Sequence, residues 1–258
     1  MLDISSFDGF QWSLIYTFTF ILGACLGSFA SAIIPREIKG QSWFAMKGDM
    51  ARSHCAHCQK PLSYKELLPI LSYLLQKKKC ACGQFQIPLF YPALELCFAL
   101  TAIIILYFNG LNFLSAGLIV SLPFLAAISW LNLHNQMMSD RLLIILSYIA
   151  VAASLFNFPH TDLWDGIYAA LLIAVLASFF KWMAQRISSA SLYGWDVIKL
   201  WVIIGFWLGV YHTGYFLFLV GLGGVLWILC RRKIMAEWSL FPYGFYSACI
   251  FLFLTMWF

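Results

Sequence analysis

Two aspartates and two pairs of cysteines stand out among the 258 residues as groups able to do chemistry. Asp140 closes the stretch NLHNQMMSD ahead of one apolar run, and Asp196 sits in LYGWDVIKLW ahead of another. Two carboxylates brought together at a semi-dry surface have split proton affinities. One can hold a proton while the other activates water, the chemistry of an aspartic protease. The alternative is helix N-capping, since each Asp opens a helix; spacing alone favours it for Asp140, with Arg141 as its charge partner. Cys55 and Cys58 form a CxxC pair, and Cys80 and Cys82 form a CxC pair after 21 intervening residues. Short-spaced pairs at about this separation are a zinc-site pattern, with thiolates around a tetrahedral ion that stabilises a small loop domain. His54 and His57 are substitute ligands, and the alternative is a reduced loop without metal.

The remaining candidates call for less. Glu95 lies within an apolar run, YPALELCF, where an intramembrane acid serves either a structural hydrogen bond or chemistry. Cys25, Cys97, Cys230 and Cys249 fall in apolar runs and are expected to be small packing residues. The Lys77–Lys79 run reads as a topology signal or a contact to anionic lipid, and no nucleic-acid partner is expected.

The elements that must position these groups follow from composition. Hydrophobic residues make up 62% of the chain and charged residues 10%, with a mean hydropathy of +0.83. A soluble fold of this size lacks the interior to hide so much apolar surface. The chain is therefore expected to be an all-α polytopic membrane protein embedded in a lipid bilayer. Spans of about 20 apolar residues are found near Trp12–Ile34, Pro88–Phe108, Leu111–Leu131, Leu142–Phe156, Gly166–Met183, Val197–Tyr211, Gly214–Cys230 and Leu240–Phe258. Asn109-Gly110 and His212-Thr213 fit as hairpin connections. The expected organisation is a first span within 1–34, a cytoplasmic cysteine-bearing loop at 35–87, and a helical membrane domain over 88–258.

Orientation follows from the basic residues. With the amino terminus outside, the inside segments are 35–87, 132–141, 181–199 and 231–239, and they hold all 16 Lys and Arg. The positive-inside rule then puts both termini outside and the main loop inside. The start of the chain, MLDISSFDGF, has no basic residue before the first apolar run, so no cleaved signal peptide is expected.

Several segments, taken in order, resemble the prepilin peptidase family, the membrane aspartic peptidases of type IV pilus and type II secretion systems. GACLGSFASAIIPR is similar to the family's GSF-N-V-x-x-x-R pattern, with Gly27, Ser28, Phe29 and Arg36 matching. SHCAHCQKPLSYKELLPILSYLL resembles its zinc-loop segment, and YPALEL its YP-(Leu/Ile)-VEL. GWDVIKLWVIIGFWLG resembles GxGDxKLLAALGAWLG, and LFPYGFYSA the closing FGPYLA. The resemblance implies a peptidase of the bacterial inner membrane that removes the basic leader from pilin-like precursors at the cytoplasmic face, using two aspartates. It also implies a second activity, N-methylation with S-adenosylmethionine, for which no nucleotide-binding motif is visible. Acids such as Glu66 and Asp49 are candidates to meet the basic leader.

The departures fall on the chemistry. Asn132 stands where the family's first catalytic aspartate stands, and an amide cannot ionise. Asp140 matches the last acid of that motif, eight residues on, and could stand in for Asn132 only if the intervening segment is not a plain helix. Trp195 occupies the place of the glycine before the second aspartate, and Lys199 comes one residue late; the reading adopted keeps Asp196 with one inserted residue, while anchoring on Lys199 and Gly205 puts Val197 there instead. Cys82 lies one residue before the expected fourth cysteine, and Ser31 replaces an asparagine. Three functions are weighed: a divergent peptidase using Asp196 and Asp140, a non-catalytic homologue that binds or presents pilin-like precursors, and an unrelated transporter or channel. Against the last, no pair of broken spans forms a visible inverted repeat.

Overall fold

The computed structural model describes residues 8–41, 43, 63, 67–75, 86–134, 138–156, 163–188, 194–234 and 243–257. The described elements are helices: α1 (Gly9–Ile38), α2 (Leu71–Leu75), α3 (Phe90–Asn109), α4 (Phe113–Leu133), α5 (Asp140–Phe156), α6 (Leu163–Ser188), α7 (Trp195–Ile234) and α8 (Tyr243–Trp257). In lipid, backbone polar groups must be satisfied within each segment, which is why apolar runs of this length become helices. α1, α3, α4, Leu163–Met183 of α6 and Trp195–Gly224 of α7 are long and apolar enough to cross a membrane, and Tyr243–Thr255 is a shorter apolar helix. Large apolar side chains such as Phe18, Leu100, Tyr107, Val175 and Phe218 point outward, as the surface of a protein solvated by acyl chains requires. The chain is an all-α integral membrane protein.

It divides into two compact units, Met1–Leu111 and Asn112–Phe258. In the first, α1 packs along α3. The contact is set by Gly23 and Gly27, a GxxxG pair on one helical face. A Cβ at Gly23 would lie 2.7 Å from the Ala99 Cα, and one at Gly27 would lie 2.7 Å from the Glu95 Cα, so only glycine lets the backbones approach this closely.

In the second unit, α4 packs on α5 and α8, and α7 on α5, α6 and α8. α7 is two helices. Gly209, at φ 73° and ψ 174°, breaks it, and the Asp165 carboxylate at the start of α6 accepts the Val210 N–H at 3.1 Å. Tyr243 meets both sides of the break: its ring lies 5.9 Å from that of Trp201, and its hydroxyl lies 2.9 Å from where a Gly224 Cβ would stand. A continuous helix rising about 1.5 Å per residue would hold Trp201 and Gly224 about 35 Å apart, so the chain folds back on itself. The hairpin expected from hydropathy is present, but its turn is at Gly209 and not at His212-Thr213. Thr213 is helical and fully buried.

Candidate active site

The first turn of α7 carries Asp196. Its Oδ2 accepts the backbone N–H of Met138 at 3.2 Å, and its Oδ1 occupies the space a Cβ on Gly194 would need. Gly194 therefore gives the carboxylate room to fold back over the helix start. One turn further on, the Lys199 ammonium pairs with Asp140 Oδ1 at 2.6 Å. The segment entering α5 is thus tied to α7 twice, through Met138 and through Asp140, and both sequence-predicted aspartates come to this one place. Val197, the alternative position, is buried among apolar side chains.

Two expectations for these acids are corrected. The partner of Asp140 is Lys199, which no local spacing points to, and not Arg141. Neither carboxylate is spent as a local N-cap: Asp140 is the first residue of α5 with its side chain on Lys199, and Asp196 takes its hydrogen bond from Met138. The ion pair is largely exposed, with side chains 55% and 69% accessible, so it fixes geometry more than it stabilises the fold.

Asn132, in the last turn of α4, has a different task. Its Oδ1 accepts the N–H groups of Gly244 at 2.9 Å and Phe245 at 3.4 Å, capping α8 from a neighbouring helix. Helix N-terminal amides need such acceptors. Gly244 is wedged between Asn132 and the Met138 methyl, so Asn132, Gly244, Met138 and Asp196 form one chain of contacts. α4 ends at Leu133 and α5 begins at Asp140, and the described residues between them, His134, Met138 and Ser139, are not helical. This is the condition under which Asp140 could stand in for Asn132.

A residue that sequence reasoning counted only as a topology marker also lies here. Lys181 on α6 is buried, with its Nζ 4.4 Å from the centroid of the Trp195 ring and in the electrostatic field of Asp196. The available signal was a lysine within an apolar run.

In the first unit, Glu95 is 8% exposed. It accepts the Ile70 N–H at 2.7 Å and a hydrogen bond from Ser28. Three of the resembling segments, those holding Ser28, Ile70 and Glu95, therefore meet at one carboxylate. Ile70 adopts φ 60°, a left-handed conformation that is costly for a β-branched residue and needs such an anchor.

The four zinc-site cysteines, Cys55, Cys58, Cys80 and Cys82, lie outside the described residues. Among the described residues no three His, Cys, Asp or Glu come together as a metal site. Cys25, Cys97 and Cys249 are exposed on helix faces and are not the packing residues expected. Among the described residues, shallow apolar cavities lie against Tyr211, Gly214, Tyr215 and Phe218, about 500 Å³, and between α4 and α5, about 230 Å³. Neither has a charged side chain to meet a sulfonium or a carboxylate, so neither fits S-adenosylmethionine.

Fold and site together define a polytopic helical membrane protein with carboxylates held at helix starts. Residues 21–108 match the bacterial peptidase A24 N-terminal domain. The chain is 36% identical over 197 residues to the prepilin leader peptidase/N-methyltransferase of Bacillus subtilis, covering 74% of this chain and 73% of that protein. It is 28% identical over 220 residues to the protein of that name from Vibrio cholerae, covering 82% and 85%. It is 25% identical over 201 residues to the type 4 prepilin-like proteins leader peptide-processing enzyme of Escherichia coli, covering 72% and 74%. No solved structure matches the chain significantly. The chain belongs to the prepilin leader peptidase/N-methyltransferase family.

Proposed function

We propose that the protein is a membrane aspartic endopeptidase of the bacterial inner membrane that cuts the basic leader from pilin-like precursors at the cytoplasmic face. Asp196 is the carboxylate that activates water, and Asp140 is its partner carboxylate. The observation that carries this reading is the double tie between the α5 entry and the first turn of α7, through Met138 to Asp196 and through Lys199 to Asp140. The concentration of all 16 basic residues in four segments supports an orientation with both termini periplasmic and this end of the helices cytoplasmic. Zinc on Cys55, Cys58, Cys80 and Cys82 would order the 35–87 loop, and methylation of the new terminus by S-adenosylmethionine is carried by the relatives' names alone. The test is incubation of the membrane-inserted protein with a leader-bearing precursor. Cleavage that is lost in Asp196→Ala supports the peptidase; no cleavage, under conditions where a relative cuts, sinks it.

A second reading is favoured by Asn132, whose side-chain oxygen is committed to the start of α8. In it the protein binds or presents precursors without cutting them. Precursor capture by an Asp196→Ala variant at wild-type affinity, with no cleavage by either protein, is the outcome that selects it.

A further inference from the structure

The proposed reaction needs two ionisable partners, and the family's first position for one of them holds an amide. α6 brings a charge to the same place. Lys181 is 5% exposed, is seated on the face of Trp195 and lies in the field of Asp196. Among the described residues its ammonium makes no ion pair of its own. A buried ammonium needs a compensating charge, which an aromatic face supplies only in part. The ring it sits on belongs to Trp195, the residue before Asp196. The other charged and titratable groups on the elements around Asp196 are engaged elsewhere or exposed. Asp140 on α5 is held by Lys199 of α7 itself, and the neighbouring Arg141 is exposed. Arg186 of α6 lies over Trp182. α8 has no charged side chain; its Tyr246 hydroxyl donates to the Leu219 carbonyl, and that of Tyr243 faces Gly224.

We propose that Lys181 is a positioning residue for Asp196: clamped on Trp195, its ammonium serves as the charge partner that position 132 does not provide. The proposal rests on the reading of Asp196 as the active carboxylate. It makes two departures from the family pattern act together. Trp195, in place of a glycine, supplies the surface on which the lysine sits. Asn132, in place of an aspartate, leaves position 132 without a charge, and Lys181 adds a cation beside Asp196.

The test uses the full chain in lipid nanodiscs with a synthetic leader-bearing precursor. Lys181→Met keeps length and packing but not charge, whereas Lys181→Arg keeps the charge and the ring contact. Lys181→Met is expected to lower kcat roughly tenfold or more with KM little changed, and Lys181→Arg to recover to within about threefold of wild type. Equal activity of all three proteins overturns the proposal, and so does an equal loss in both variants. A second measurement needs no turnover: carbodiimide coupling to Asp196, read by peptide mass spectrometry at fixed pH. The reagent attacks the protonated carboxyl, so labelling is expected to rise in Lys181→Met and return in Lys181→Arg. Unchanged labelling in Lys181→Met overturns the pairing whatever the cleavage result. Labelling that responds to charge in a protein that cuts no precursor upholds the pairing and sinks the peptidase reading. If Lys181→Met does not fold, Lys181→Gln is read in the same way.

Discussion

Among the described residues, Glu95 and Asp196 each hold a backbone N–H from a segment between helices, and they do so in opposite settings. Glu95 takes the Ile70 N–H and a Ser28 hydrogen bond beneath a glycine-tight helix crossing. It is 8% exposed. Asp196 takes the Met138 N–H at the half-buried start of α7, with Lys181 and Lys199 close by. The same bond therefore serves different ends. Buried and twice hydrogen-bonded, Glu95 is placed as a fastener; the partly open Asp196 is the carboxylate proposed to do chemistry.

The contrast can be broken most directly at Asp196. Asp196→Asn keeps the shape and is expected to reduce precursor cleavage about 10²- to 10⁴-fold, the usual worth of an acid–base group, with little change in thermal unfolding. In the sealed unit the largest effect is expected at the crossing: Gly27→Leu forces α1 off α3 and should cost about 1–3 kcal/mol or more, measured by denaturant or thermal unfolding in detergent. Glu95→Ala leaves the Ile70 N–H without its acceptor and should cost about 1–3 kcal/mol. Glu95→Gln, which keeps an acceptor, should cost less. If Glu95→Ala abolished cleavage without loosening the fold, the distinction between fastener and reactive group would collapse. The smallest effect belongs to Lys199→Met. Its exposed pair with Asp140 contributes no more than about 1 kcal/mol, so unfolding should barely move, and any larger effect on cleavage reports the placement of Asp140.

Span length and charge made the helices legible in the sequence, because a bilayer tolerates few alternatives to a run of about 20 apolar residues. The reversal of α7 was misplaced because hydropathy falls at His212-Thr213, while the turn depends on a positive φ at Gly209 and on Asp165, a cap far away in sequence. The same reason hid the partner of Asp140: Arg141 is adjacent in the chain, but Lys199 is adjacent in space. Lys181 went unread as a neighbour of Asp196 because a lysine near the end of an apolar run already has an explanation in membrane orientation. Asn132 could be seen to lack a charge, but its hold on α8 is a tertiary fact. The three segments meeting at Glu95 were visible as motifs and not as one cluster.

The cap that Asn132 places on α8 bears on what else position 132 can hold. A carboxylate at this position would offer the same oxygen to the Gly244 and Phe245 amides, and the positive end of a helix dipole receives it more readily than an amide. Asparagine and aspartate differ there by an NH₂ for an oxygen, so Asn132→Asp would keep the cap with no repacking.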